Sequence, residues 1–251
     1  MQNATKQTIE QFQLTDKRTH ESSQLRTGSW LRGRLLLLDL GFYSFRRLAL
    51  IEENDGFFLT RLKSNANPLI VVERRKWRGH AIYLPERRLR DVLGDLTWEI
   101  IDVTVEIEFK RRAYAGKQST DTVEFRVVGV LVADTDDYHL YVTNLPDEFT
   151  PRQVAALYGL RWEVELLFRE LKSLYGLETF QTSDPAIVHL LVVAALLTLT
   201  VSRALLGVFQ ELFPETVFPR ERWAKIFGLS PSSSSKIWHS RSAIHRRTCR
   251  N

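Results

Sequence analysis

Tyr158-Gly-Leu-Arg161-Trp-Glu-Val-Glu165-Leu-Leu-Phe-Arg-Glu-Leu-Lys172 is the stretch on which the reading of this chain turns. It follows Thr150-Pro151, a helix-start pattern. A threonine oxygen accepts from the first free amides, and proline lacks only an amide that would be orphaned anyway. The pattern predicts one helix from Pro151 through Lys172. With Tyr158 at zero and about 100° per residue, Arg161, Glu165 and Lys172 fall at about −60°, −20° and −40°. They span roughly 21 Å of axis. Leu157, Leu160, Val164, Leu167, Leu171 and Leu174 fall on the other side. Such a helix buries leucine and presents a phenol, a guanidinium, a carboxylate and an ammonium in line. A merely solvated face would scatter Glu and Lys at i,i+4.

The 251 residues suffice for one large domain or two small ones, and a hydrophobic fraction of 44% is ordinary for a globular chain. The single cysteine, Cys249, excludes an internal disulfide and a cysteine-based zinc cage. That suits a reducing cytoplasm, and the polar opening, residues 1–16, does not read as a signal peptide. The apolar run 186–206 is interrupted by His189, Ser202 and Arg203. Its uninterrupted part is shorter than the roughly 18 residues a membrane span needs, so a buried core helix is expected, starting at Asp184-Pro185. The net charge of +5 is unevenly placed: seven cations and no acid follow Glu221, leaving the remainder at −2. A basic tail suits a polyanion such as DNA or serves simply as a solvating terminus.

Ahead of the key stretch, residues 7–15 alternate weakly and residues 16–21 read as a polar loop. Arg34-Leu-Leu-Leu-Leu-Asp39 reads as a strand buried on both faces, with an acid at its C-terminal end. In open α/β sheets ligands sit at that end, although strand-end acids also cap turns. Gly41 suits the turn, Ser44 a helix cap, and Phe57–Leu62 a returning strand. Residues 68–145 are β-branched and mostly alternating, the pattern of antiparallel strands with one solvated face, with a short helix near 85–93. Basic clusters punctuate them at 74–78, 87–90 and 110–112. These either follow phosphates nonspecifically or guard strand edges against aggregation. Gly176 is expected to stop the key helix, and Ser230-Pro-Ser-Ser-Ser-Ser reads as a flexible linker.

The spacing Tyr158-x2-Arg161-x3-Glu165-x6-Lys172 resembles the signature of DDE transposases of the insertion-sequence-four family, and matches it at all four positions. Asp39-Leu-Gly41-Phe42-Tyr43-Ser44 with Phe57-Phe-Leu-Thr-Arg61-Leu-Lys63 resembles the family's block around its second catalytic aspartate. The resemblance covers about residues 10 to 210 and implies an α/β fold with a ribonuclease-H-like core and an inserted β-rich subdomain. It implies core segments at 1–65 and 147–229, the insertion at 66–146, and a basic tail at 230–251. It also implies that Asp39 and Glu165 are catalytic and hold Mg²⁺ or Mn²⁺, oxygen ligands suiting hard cations. By the same resemblance Tyr158, Arg161 and Lys172 bind DNA phosphates. The implied function is transposition through phosphodiester hydrolysis and strand transfer at insertion-sequence ends. The implied partners are transposon-end and target DNA, with a homodimer in a synaptic complex, no membrane and a cytoplasmic location. The family's first aspartate lies on a strand upstream of the region matched here, and the only aspartate before Asp39 is Asp16. The expectation is therefore an N-terminally truncated core, incomplete and inactive alone. The alternatives are a noncatalytic DNA-binding fragment that interferes with an intact transposase, or a stand-alone nuclease.

Overall fold

The computed structural model describes residues 2–3, 8–9, 25–74, 76–77, 80–81, 84–96, 98–114, 117–132, 137–175, 182, 184–219 and 222–223. In chain order the elements are β1 (Gln2–Asn3), β2 (Thr8–Ile9), β3 (Leu35–Leu38), α1 (Phe45–Glu53), β4 (Phe57–Arg61), β5 (Leu69–Glu73), β6 (Lys76–Trp77), β7 (His80–Ala81), α2 (Leu89–Leu93), β8 (Ile100–Tyr114), β9 (Lys117–Val132), β10 (Asp137–Thr143), α3 (Pro151–Gly159), α4 (Trp162–Tyr175) and α5 (Pro185–Leu212). They fall into two compact units, one of Thr15–Arg161 and one of Met1–Leu14 with Trp162–Asn251.

The first unit is built on a six-stranded mixed sheet in the order β3-β4-β10-β9-β8-β5. β3 and β4 are parallel, and every other neighbouring pair is antiparallel. The strands of 66–146 thus continue the sheet that carries the leucine strand. That strand forms as expected, but it is not buried on both faces: only Leu38 is buried, and Leu35–Leu37 are half-buried. The reason is its place at the end of the strand order, with one strand neighbour among the described residues. Its side chains alternate. Leu36 and Leu38 enter the core formed with Leu48 and Ile51 of α1, while Leu35 and Leu37 pack with Leu59, Tyr141 and Tyr158. Past Asp39 the chain tightens into one 3₁₀ turn, Leu40–Phe42, and Ser44 begins α1 without a side-chain cap hydrogen bond.

Helices α1 and α2 cover one face of the sheet through Leu48, Ile51, Leu89 and Val92, and α3 covers the other through Val154 and Tyr158. Sandwiching changes the pattern expected for the long strands. Ile101–Val105 of β8 are buried on both faces, and alternation with solvent returns only over Glu106–Lys110. One buried position is ionic. Arg126 donates to Asp102 through Nε (2.8 Å) and Nη2 (2.7 Å), and to the Pro146 carbonyl through Nη1 (3.1 Å). A fork onto a carboxylate satisfies both charges where water is excluded.

The single helix expected over the key stretch is two. Thr150 caps α3 as predicted, in a full capping box with Gln153. The helix then ends at Gly159, and Leu160 and Arg161 donate to Leu157 and Tyr158 in tight i→i−3 turns at 3.1 and 3.0 Å. Glycine is the poorest helix former after proline, and i→i−3 bonds typically close a helix. The 100° count therefore does not run from Tyr158 to Lys172, and the leucine stripe divides. Leu167 and Leu171 are buried, whereas Leu160 and Val164 are exposed.

In the second unit, Asp184 caps α5 by accepting from Ala186 and Ile187, as the Asp-Pro pattern predicts. The expectation of a core helix is not met. Only Ala195, Leu199, Ser202 and Leu206 are buried, a single stripe, while Leu190, Leu197, Val201 and Leu212 are exposed. The helix is apolar all round, but its packing is on one side: α4 with the Arg203–Glu170 ion pair (2.7 Å), and Trp223, which donates to the Ser202 carbonyl (2.8 Å). Among the described residues it is one helix long and apolar enough to cross a membrane. The loop expected at 16–21, the helix stop at Gly176 and the tail at 230–251 lie outside the described residues.

Candidate active site

Asp39 stands at the C-terminal end of β3 in extended backbone, so the alternation of the strand carries through it. Leu35 and Leu37 face α3, and Asp39 is the next residue on that face. Its side chain is 57% exposed, enough to meet a ligand from solvent. Arg161, at the turn that ends α3, places Nη1 3.6 Å from Asp39 Oδ1, an ion pair slightly longer than a hydrogen bond. Two residues that are distant in sequence, the strand-end acid and the signature arginine, are thus neighbours.

Tyr158 is buried at this junction rather than presented to solvent. Its ring packs 5.2 Å from that of Tyr141, and the Arg161 guanidinium lies 5.7 Å from its centroid. Burial pushes the phenol above its ordinary pKa, Asp39 pushes it the same way, and Arg161 and Arg61 oppose them. Tyr158 therefore stays protonated at neutral pH. Glu165 and Lys172 belong to the second unit, both exposed, in the first and last turns of α4 respectively. These are also the turns where the helix dipole favours an acid and a base.

Sequence reasoning named Arg61 only as part of the block Phe57–Lys63 and missed Tyr141; the two face each other in the β4–β10 register. No local signal brings them together, because β4 and β10 are paired only through the completed sheet. The basic clusters, in contrast, are largely used by the fold. Arg74 donates to Thr104 (2.7 Å) and pairs with Asp147, and Arg87 pairs with Asp95 (3.5 Å). Arg88 donates to the Asn67 carbonyl (2.9 Å), and Arg90 to those of Ala66 and Lys63 (2.8 Å each). Arg111 pairs with both Glu53 and Asp121. These arginines tie neighbouring elements of the fold together.

As candidate donors, Asp39 and Glu165 offer exposed carboxylate oxygen, the chemistry that suits Mg²⁺ or Mn²⁺. Among the described residues no three His, Cys, Asp or Glu side chains form one cluster. Asp16 lies outside the described residues.

A mixed α/β sheet with an accessible acid at a strand end, gripped by an arginine, defines a domain suited to polar chemistry at a sheet edge. The chain matches the transposase DDE domain family over residues 3–201 and belongs to that family. It is similar to "Putative transposase y4zB" of Sinorhizobium fredii, 29% identical over 191 residues, covering 76% of this chain and 48% of that protein. It is also similar to the transposase for insertion sequence element IS421 of Escherichia coli, 38% identical over 73 residues, 29% of this chain and 20% of that one. With the transposase for IS231F of Bacillus thuringiensis subsp. israelensis it shares 24% identity over 179 residues, 60% and 37% of the two chains. The chain spans about half or less of the length of these relatives.

Proposed function

We propose that this chain carries the catalytic part of a DDE transposase of the insertion-sequence-four type, with a ribonuclease-H-like core and the segment 66–146 as the family's β-rich insertion. The observation that carries the reading is the Arg161–Asp39 pair, which joins the signature to the strand-end acid. Asp39 and Glu165 are the carboxylates that would hold a divalent cation, Mg²⁺ or Mn²⁺. Bound there, the cation would activate the attacking oxygen and stabilise the leaving one in phosphodiester cleavage and strand transfer. Arg161 binds phosphate, its planar fork matching two phosphate oxygens, and Lys172 adds a point charge. Tyr158, kept neutral by burial, donates from its hydroxyl and orients Arg161 through its ring. The partners are transposon-end and target DNA, the working form is a homodimer in a synaptic complex, and the location is the cytoplasm.

The test is Mn²⁺ binding, read by the loss of the free-ion paramagnetic resonance signal, beside fluorescence-anisotropy titration with duplex DNA. The full chain is expected to bind both. Asp39→Asn and Glu165→Gln should each weaken Mn²⁺ binding at least tenfold while sparing DNA. Duplex binding with no Mn²⁺ binding would favour the noncatalytic DNA-binding fragment instead, and loss of both would end the transposase reading.

A further inference from the structure

Helix α5 carries one Arg and no Lys in its 28 residues, and its one acid, Glu211, stands next to its end. The rest is largely apolar on every side. Burial of apolar surface is favourable but non-directional. It brings α4 and α5 together without choosing which side of α5 meets α4, or at what height along the axis. Arg203 nonetheless lies on the packed side, one turn from the buried Leu199 and one turn from the buried Leu206. Its Nη2 donates to Glu170 Oε2 at 2.7 Å, and the two side chains are only 18% and 15% exposed.

On α4, Glu170 stands beside Leu167 and Leu171, which are both buried. At about 100° per residue, Glu165 and Lys172 fall within about 20° of each other, and Glu170 falls about 140° from Glu165. Glu165 and Lys172 thus share the exposed side of α4, away from the two leucines. A turn of α4 about its own axis would re-aim both at once. Leucine packing alone opposes such a turn weakly, because the facing helix has no polar side to be kept out of the contact.

A buried ion pair adds little net stability, because both charges give up water. Its best-attested use is to specify register, as one polar side chain does in the seam of a coiled coil. We propose that Arg203 is a positioning residue. Paired with Glu170, it pins α4 on α5 in one register and one rotation, and so sets the aim of Glu165 and Lys172. The step from the pin to Glu165 rests on the metal-binding reading above, and the test keeps the two apart.

The decisive variant of the full chain replaces both charges with apolar side chains, Glu170→Leu with Arg203→Met, so that no charge is left unpaired. It should melt at or above the wild-type temperature. Spin labels at the exposed positions Ser173→Cys on α4 and Ala204→Cys on α5, with Cys249→Ser, read the helix pair directly. The wild-type pair should give one narrow distance distribution, and the apolar pair a broadened or split one. Mn²⁺ affinity of the unlabelled chains should fall about tenfold or more in the apolar variant, the loss typical when groups that orient a ligand are removed. The exchanged pair, Glu170→Arg with Arg203→Glu, should restore both readouts. A distribution that stays narrow in the apolar variant overturns the pin, whether the melting temperature holds or falls. A broadened distribution with wild-type Mn²⁺ binding overturns the link to Glu165. A wild type that binds no Mn²⁺ ends the metal reading, and the distance distribution alone then decides the pin.

Discussion

Asp102 and Arg126 show what a single buried side chain costs when its partner is taken away. Both are nearly inaccessible, and the guanidinium fork satisfies both carboxylate oxygens. Arg126→Met leaves Asp102 charged, desolvated and alone, a loss of about 3–5 kcal/mol. Against a total stability of about 5–15 kcal/mol this is a large share, and urea unfolding should show the midpoint fall accordingly. Asp102→Leu in the same chain should recover much of the loss, because an apolar pair needs no counter-charge. A double variant no more stable than Arg126→Met would show that the pair is not what the arginine supports. Asp39 was legible because a run of leucines ended in an acid. The Asp102–Arg126 pair was not, because nothing near Asp102 names its partner; only the β8–β9 register does. Tyr158 was expected on a presented polar helix face and is instead buried, since its burial depends on Tyr141 in a distant strand.

At the level of elements, the break between α3 and α4 matters most. Thr150-Pro151 and Asp184-Pro185 marked both helix starts, since caps are local chemistry. The break was missed because the hydrophobic period runs on through Gly159 without interruption. A Cβ at Gly159 would meet nothing within 4 Å, and its backbone is not in the left-handed region. Gly159→Ala should therefore stabilise the chain by about 0.8–1 kcal/mol through helix propensity alone, read as a rise in unfolding free energy. A destabilised variant would mean that the turn requires glycine. The exposed faces of α5 were equally hidden: composition states how apolar a helix is, and neighbours decide how much of it is covered.

The whole first unit is closed by a pairing between distant strands. β8 and β9 meet as a hairpin, from Tyr114 opposite Lys117 outward to Ile100 opposite Val130. β4 and β10 join residues roughly 80 apart in sequence, a closure whose length-dependent entropy alone is about 4 kcal/mol. Local pairings form first and distant ones late. Val103→Ala and Val127→Ala in the hairpin should therefore slow refolding, whereas Leu59→Ala in β4 should chiefly hasten unfolding. Stopped-flow chevrons separate the two, and a slowed folding limb for Leu59→Ala would reverse the order. Asp39, Arg61 and Tyr141, on or at the ends of the neighbouring strands β3, β4 and β10, have a place in that sequence. On the ribosome, residues 39 and 61 emerge long before residue 141, and Tyr141 comes beside Arg61 only once β10 docks between β4 and β9. A nascent chain with the hairpin formed but β10 unseated can already pair β3 with β4, yet it lacks Tyr141 beside Arg61. The Arg61–Tyr141 neighbourhood thus arrives late in biosynthesis, when β10 docks.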